Sequence, residues 1–242
     1  MHRRGRKRIS VTTQIVGRKV NFMEHVMSGA IPSKDLFMMC PVLNTSALRE
    51  LPHGFHFRLC RRDELEAWKE MLLDFPHTPE VHDEYMHVMS NYYNAVYAHK
   101  SDLFFQKCLL VCNENDTPVG RGFIWKAYDK INTIHWYKVL KEYENQGIGR
   151  AILTAMMTDL HEEDYPVFLH THPSSFRAIK LYSDFGFCLI SNPVVGCRNN
   201  DLEDCLPILE KFMPESDFMK LRILEAPQYF LDAVASSKVE EL

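Results

Sequence analysis

With 242 residues, 46% of them hydrophobic and 25% charged, the chain has enough apolar content to bury a full core and the composition of an ordinary globular protein. No apolar run approaches membrane-spanning length and no secretory pattern opens the chain, so neither a membrane partner nor secretion is expected. The seven cysteines (Cys40, Cys60, Cys108, Cys112, Cys188, Cys197, Cys205) are odd in number and lack Cys-x-x-Cys spacing, which points to reduced thiols in a cytoplasm and to neither zinc nor a disulfide framework.

The net charge of −4 hides a basic start. Residues 1–22 hold Arg3, Arg4, Arg6, Lys7, Arg8, Arg18 and Lys19 and no acid. They read as a disordered arm; nucleic-acid binding through it is the alternative, but no aromatic interleaving accompanies the charges and nucleic acid is not the expected partner. Translation starting at Met23 is a further alternative. A mixed extension, 23–53, follows, and 54–242 reads as one domain.

Within that domain Phe55 to Cys60 reads as a strand. Arg62 to Phe75 reads as a helix with Leu65, Trp68, Leu72 and Phe75 on one face, stopped by Pro76. Val81 to Tyr97 is a second helix, with Tyr85, Met89, Tyr92, Tyr93 and Val96 at helical spacing. Three strands are expected over 104–112, 119–128 and 133–140, joined by turn-rich stretches 113–118 and 129–132. A helix over 147–161, a strand over 166–171, a helix from Pro173 to a C-cap at Gly186 and a strand over 187–191 come next. A helical insertion near 200–213, a strand over 219–224 and a short helix over 229–235 close the chain.

The stretch Tyr143 to Leu153, YENQGIGRAIL, places Gly147 and Gly149 where a strand turns into a helix. Glycines there let backbone N–H groups crowd around an anion at the positive end of the helix, so the turn reads as a phosphate site. A Walker loop needs Gly-Lys-Ser/Thr, but Arg150 and Ala151 follow Gly149; a dinucleotide turn needs a small residue where Ile152 stands. The alternative is a helix start whose glycines serve close packing.

The run Val139 to Gly149 resembles the acyl-CoA motif of the GNAT superfamily of N-acetyltransferases, Gln/Arg-x-x-Gly-x-Gly/Ala after the fourth strand. Ser175 to Phe187 (SFRAIKLYSDFGF) is similar to the next block of that family, Asn-x-x-Ala-x-x-Leu-Tyr-x-x-x-Gly-Phe. Glu144 replaces the usual Gln or Arg, Asn145 the common Gly, Lys141 a frequent Pro and Ser175 the usual Asn. A carboxylate at Glu144 has the wrong sign for a pyrophosphate, which leaves main-chain N–H groups as the main binding force and Arg150 as a compensating charge.

This resemblance, over roughly 54–226, implies a GNAT fold of the α/β (α+β) class: a mixed, mostly antiparallel central sheet flanked by helices. It implies acetyl-CoA as acyl donor, no metal, and a small-molecule or peptide amine as acceptor. Cofactor contacts fall on Val139, Leu140, Asn145, Gln146, Gly147, Ile148, Gly149, Arg150 and Ser175, with Val139 and Leu140 beside the pantetheine arm. Tyr182 matches the family's donor of a proton to the departing thiolate, against a packing role. As base, His135 is expected on the same strand face as Thr133, with His170 and His172 as rivals, and a water relay would replace them all. A catalytically lapsed acyl-CoA-binding module is the competing class. A homodimer is compatible with the sequence.

Overall fold

The computed structural model describes residues 31–237 and 239–242. The basic arm 1–22 lies outside them, as do positions 23–30 of the extension. The rest of the extension contains an element that the sequence pattern did not announce: strand β1 (Leu36–Cys40), LFMMC, buried along its whole length. It sits mid-sheet, antiparallel to one strand on each side. A strand covered on both faces shows no alternation, so period-2 patterning cannot find it.

β2 (Phe55–Leu59) is followed by a 3-10 turn, Arg62–Glu64, and a helix shorter than expected, α1 (Leu65–Glu70). α2 (Pro79–Val96) starts on Thr78, whose hydroxyl accepts from the Val81 N–H at 3.4 Å, with Pro79 in the first turn. The strand expected over 104–112 is corrected: its first half is helix α3 (Ser101–Lys107), and β3 (Leu109–Asn113) begins only after it. The apolar run through Phe104 and Phe105 satisfies either period, and Phe104 finds its burial as a helical residue.

β4 (Pro118–Ala127) and β5 (Ile131–Val139) make the expected hairpin. α4 (Ile148–Thr158), β6 (Val167–Thr171), α5 (Phe176–Asp184) and β7 (Cys188–Ile190) follow the predicted order. A small hairpin, β8 (Val194–Val195) and β9 (Arg198–Asn199), turns at Gly196. α6 (Leu202–Phe212) fills the expected helical insertion. The strand expected over 219–224 shrinks to β10 (Ile223–Leu224) behind a single turn, α7 (Glu215–Phe218), and α8 (Gln228–Ala235) ends the fold.

The sheet order is β10-β7-β1-β6-β5-β4-β3-β2. All its pairings are antiparallel except β5 with β6 and β7 with β10. Each face of this mixed sheet carries its own core. On one, α1, α2, α3 and α8 pack Trp68, Tyr85, Tyr97, Phe104 and Phe230 against Phe37, Phe123, Trp125 and Phe168. On the other, α4, α5 and α6 pack Ile152, Met156, Ile179, Tyr182 and Leu209 against Met38, Val119, Val167 and Leu169. No described helix is long and apolar enough to cross a membrane.

Candidate active site

β5 and β6 run parallel and meet at only two register pairs, Asn132↔Val167 and Thr133↔Phe168. Beyond them β5 continues to Val139 bonded to β4 alone, and β6 continues to Thr171 bonded to β1. Their facing edges therefore splay into an open split in the middle of the sheet, lined by unspent main-chain donors and acceptors. The register between Gly120 and Val139, with the Leu140 N–H on the Val119 carbonyl at 2.9 Å, makes Val139 a non-hydrogen-bonded partner of β4. Its N–H and C=O accordingly face the split. Leu140 does not share this freedom, because its carbonyl also accepts from the Tyr143 N–H at 2.9 Å.

A bulge re-aims β5 at this point. The register shifts between Arg121 and Phe123, and Trp136 takes a φ of 52°. Two consecutive side chains then share the α2 face: His135 lies against Phe123 and Tyr97, and Trp136 against Trp68 and Tyr92. The Trp136 Nε1–H donates to Tyr97 Oη at 2.9 Å, and Tyr97 Oη is hydrogen-bonded to His135 Nδ1. Tyr137, next along, turns to the opposite face and packs 5.6 Å from Tyr182 between ring centroids.

At the open end of the split, the chain turns into α4 through Asn145 (φ 62°) and Gly147 (φ 87°). The main-chain N–H groups of Asn145, Gln146, Gly147, Ile148, Gly149 and Arg150 have no acceptor among the described residues, and the first bond of the helix is Ala151 N–H to the Gly147 carbonyl at 3.1 Å. Six consecutive donors at a helix start make a cradle for an anion. The two glycines serve it differently. Gly147 supplies the left-handed turn, whereas a Cβ on Gly149 would run into the Tyr137 hydroxyl, so the second glycine is required by packing.

These elements fall inside the match of residues 65–187 to the family described as "Acetyltransferase (GNAT) family". The chain belongs to the GNAT acetyltransferase family. No curated protein matches the sequence. Solved structures that resemble it include an acetyltransferase of the GNAT family from Colwellia psychrerythraea (13% identity over 67% of this chain and 55% of that one, TM-score 0.45). A GCN5-related N-acetyltransferase from Sphaerobacter thermophilus (18%, 64% and 47%, TM-score 0.42) and a GCN5-related N-acetyltransferase-like protein from Streptococcus suis (12%, 70% and 63%, TM-score 0.45) also do. The chain spans 36% and 55% of the length of two other solved relatives, an acetyltransferase of Pyrococcus horikoshii and a Drosophila protein.

Around the GNAT turn the charges pair off. Glu144, the residue of wrong sign, is met by Arg177 at 3.1 Å. Arg150 is held by Asp184 and the Ala47 carbonyl, and Lys180 reaches the same Asp184 at 2.7 Å, so Arg150 points away from the role of a free compensating charge. Ile148 buries its side chain in the core, which leaves its N–H as its contribution. Ser175 donates its N–H to the His172 carbonyl at 2.9 Å.

Tyr182 is buried beside Tyr137 and Phe187, and its hydroxyl has no hydrogen-bond partner among the described residues. Burial, reinforced by Tyr137, pushes its pKa well above the usual phenol value and keeps it protonated. The rival histidines are committed elsewhere. His170 Nε2 lies 2.6 Å from Asp35 Oδ1 and its Nδ1 lies 3.0 Å from Arg198 Nη1; burial and the Arg198 charge hold it neutral. His172 Nδ1 lies 2.9 Å from the Lys34 carbonyl. Asp35, His170 and His172 converge closely enough to hold a cation, but the Arg198 guanidinium against His170 opposes one.

Arg121, Tyr97 and the bulge at Trp136 belong to no motif in the sequence. For Arg121 a signal was present: a cation at an inward position of a central strand.

Proposed function

We propose that the protein is an N-acetyltransferase that moves an acetyl group from acetyl-CoA to an amine of a small molecule or peptide. The observation that carries this reading is the continuity of the β5/β6 split with six unspent N–H donors at the start of α4. A ligand with an amide-bearing arm and a pyrophosphate matches both: Val139 offers strand-like bonds to the arm, and Asn145 to Arg150 offer main-chain donors to the phosphates. Family membership supports acetyl transfer as the reaction.

On this reading the reacting thioester lies in the split, with Tyr182 and His135 as its acid and base. The Tyr182 hydroxyl, neutral and without a protein partner, supplies the proton to the departing thiolate. His135, on the α2 face with Tyr97 on its Nδ1, accepts the proton of the amine. The acetyl carbonyl lies within reach of a main-chain N–H of the splayed strand, which stabilises the charge that develops on its oxygen.

Calorimetric titration of coenzyme A tests the cofactor. Gly147→Asp sets a carboxylate into the donor cradle and should weaken binding at least tenfold more than Gly147→Asn, which bears the same strain at a φ of 87° without the charge; unchanged affinity removes the turn from the site. Release of free thiol across an amine panel tests turnover. Tight coenzyme A binding without release from any amine would make the protein a lapsed acyl-CoA-binding module.

A further inference from the structure

β4 carries a charge that the core does not account for. Arg121 is fully buried on the α1 and α2 face, in register with Leu110 of β3 and Lys138 of β5. Its guanidinium carbon lies 4.5 Å from the ring centroid of Trp68 and 5.9 Å from that of Trp136. Nη1 donates to the Trp68 carbonyl and the Tyr85 hydroxyl lies beside the guanidinium, but Nε and Nη2 make no well-aligned hydrogen bond among the described residues. Cations nearby are matched: Lys138 with Asp74 at 3.1 Å, Lys69 with Glu66 at 2.7 Å and Arg58 with Glu64 at 2.7 Å. No described carboxylate pairs with Arg121. A buried guanidinium remains charged, and two aromatic faces do not replace the hydration or the counter-ion it has lost.

The unmatched atoms also specify a shape. Nε and Nη2 form one edge of the guanidinium, whose two parallel N–H bonds fit both oxygens of a carboxylate. No second cation or row of main-chain donors joins them, which suits a single negative charge better than a phosphate. Arg121 stands one strand, ~4.8 Å, from the edge of the split, on the face that also presents His135 and Trp136. A cavity of about 250 Å³ lies next to this pair, walled by Trp68, the ring under the guanidinium, and by Leu110, its cross-strand neighbour, and extending to Leu140; Arg121 itself is not on its wall, and Glu64 and Glu70 are.

We propose that Arg121 receives a carboxylate of the acceptor, so that the amine acetylated belongs to an amino acid or another amino carboxylate. This rests on the acyltransferase reading above and narrows its substrate class. It also explains why an unpaired charge persists in the core: the substrate completes the pair.

The test compares amino acids with their amides, which keep the amine and the size but lose the negative charge, by calorimetry and thermal shift on the full chain. Acids should bind about 10²-fold more tightly than the matched amides, as expected when one partner of a buried charge pair is lost. Arg121→Met should remove that preference while leaving coenzyme A affinity intact and the melting temperature equal to or above wild type, because it deletes an uncompensated charge at nearly constant volume. Arg121→Lys should retain part of the preference. Equal affinity for acid and amide, or an Arg121→Met protein that melts lower and still prefers acids, overturns the proposal. Coenzyme A titration reads the parent function separately: a protein that prefers acids but binds no coenzyme A contradicts acetyl transfer and still supports the Arg121 site.

Discussion

Tyr182 packs its ring against Tyr137 and Phe187, while its hydroxyl makes no hydrogen bond to a described residue. If its hydroxyl protonates the thiolate, Tyr182→Phe should lower kcat by ~10²-fold or more while coenzyme A affinity and melting temperature hold, because the ring that fills the space is retained. Steady-state kinetics on the two proteins decide it, and a near-normal kcat makes Tyr182 a packing residue. Its neighbour Tyr137 permits a second residue-level test. Gly149→Ala pushes a methyl into the Tyr137 hydroxyl and should cost about 1–3 kcal/mol in urea unfolding. Adding Tyr137→Phe removes the obstructing oxygen and should recover part of that loss. Equal stabilities for the single and double variants would show that the hydroxyl is not what excludes a side chain at Gly149.

At the scale of elements, legibility followed how much each segment's own chemistry dictates. The turn into α4 was readable because a left-handed residue and a crowded packing site both call for glycine, at Gly147 and Gly149. α2 was readable because Thr78, Pro79 and a stripe of buried residues from Tyr85 to Val96 agree with one another. β1 was not, since Leu36 to Cys40 takes its conformation from the strands on either side, and five consecutive buried residues display no period. The apolar run at Phe104 fits a strand and a helix equally, and only the burial of Phe104 on α3 decides between them. The site divides along this line. Its proposed phosphate end is local and legible as a motif; its proposed acceptor face depends on a bulge at Trp136 and on Arg121, whose meaning comes from what surrounds them across β3, β4, β5 and α1.

At the scale of the molecule, one polar junction ties together parts of the chain far apart in sequence. Asp35, just before β1, faces His170 of β6 at 2.6 Å and Arg198 of β9 at 3.9 Å. Arg198 in turn pairs with Glu240 and donates from Nη2 to the Leu242 carbonyl at 2.8 Å. The main chain of Asp35 is pinned as well, its N–H donating to Asp201 Oδ2 at 3.0 Å and its carbonyl accepting from the Asp201 N–H at 2.9 Å. Burial pushes the Asp35 carboxyl upward, but the His170 hydrogen bond and the charge of Arg198 outweigh it and bring the pKa down to about 2. A carboxyl with a folded pKa below its unfolded value stabilises fully above the unfolded value, ~3.9, and the gain is lost as pH falls through the folded one. His170, held neutral by burial and by Arg198, acts in an earlier window: the unfolded chain takes up its proton below ~6.5 while the folded protein resists. Urea unfolding from pH 7 to pH 2 should therefore show stability falling in two stages, the second, between about 4 and 2, worth roughly 2 kcal/mol. Asp35→Asn should be less stable at pH 7 and should lack that second stage. An Asn variant whose stability falls as steeply as wild type between pH 4 and 2 would place the acid sensitivity elsewhere and leave this junction a geometric meeting point without an energetic role.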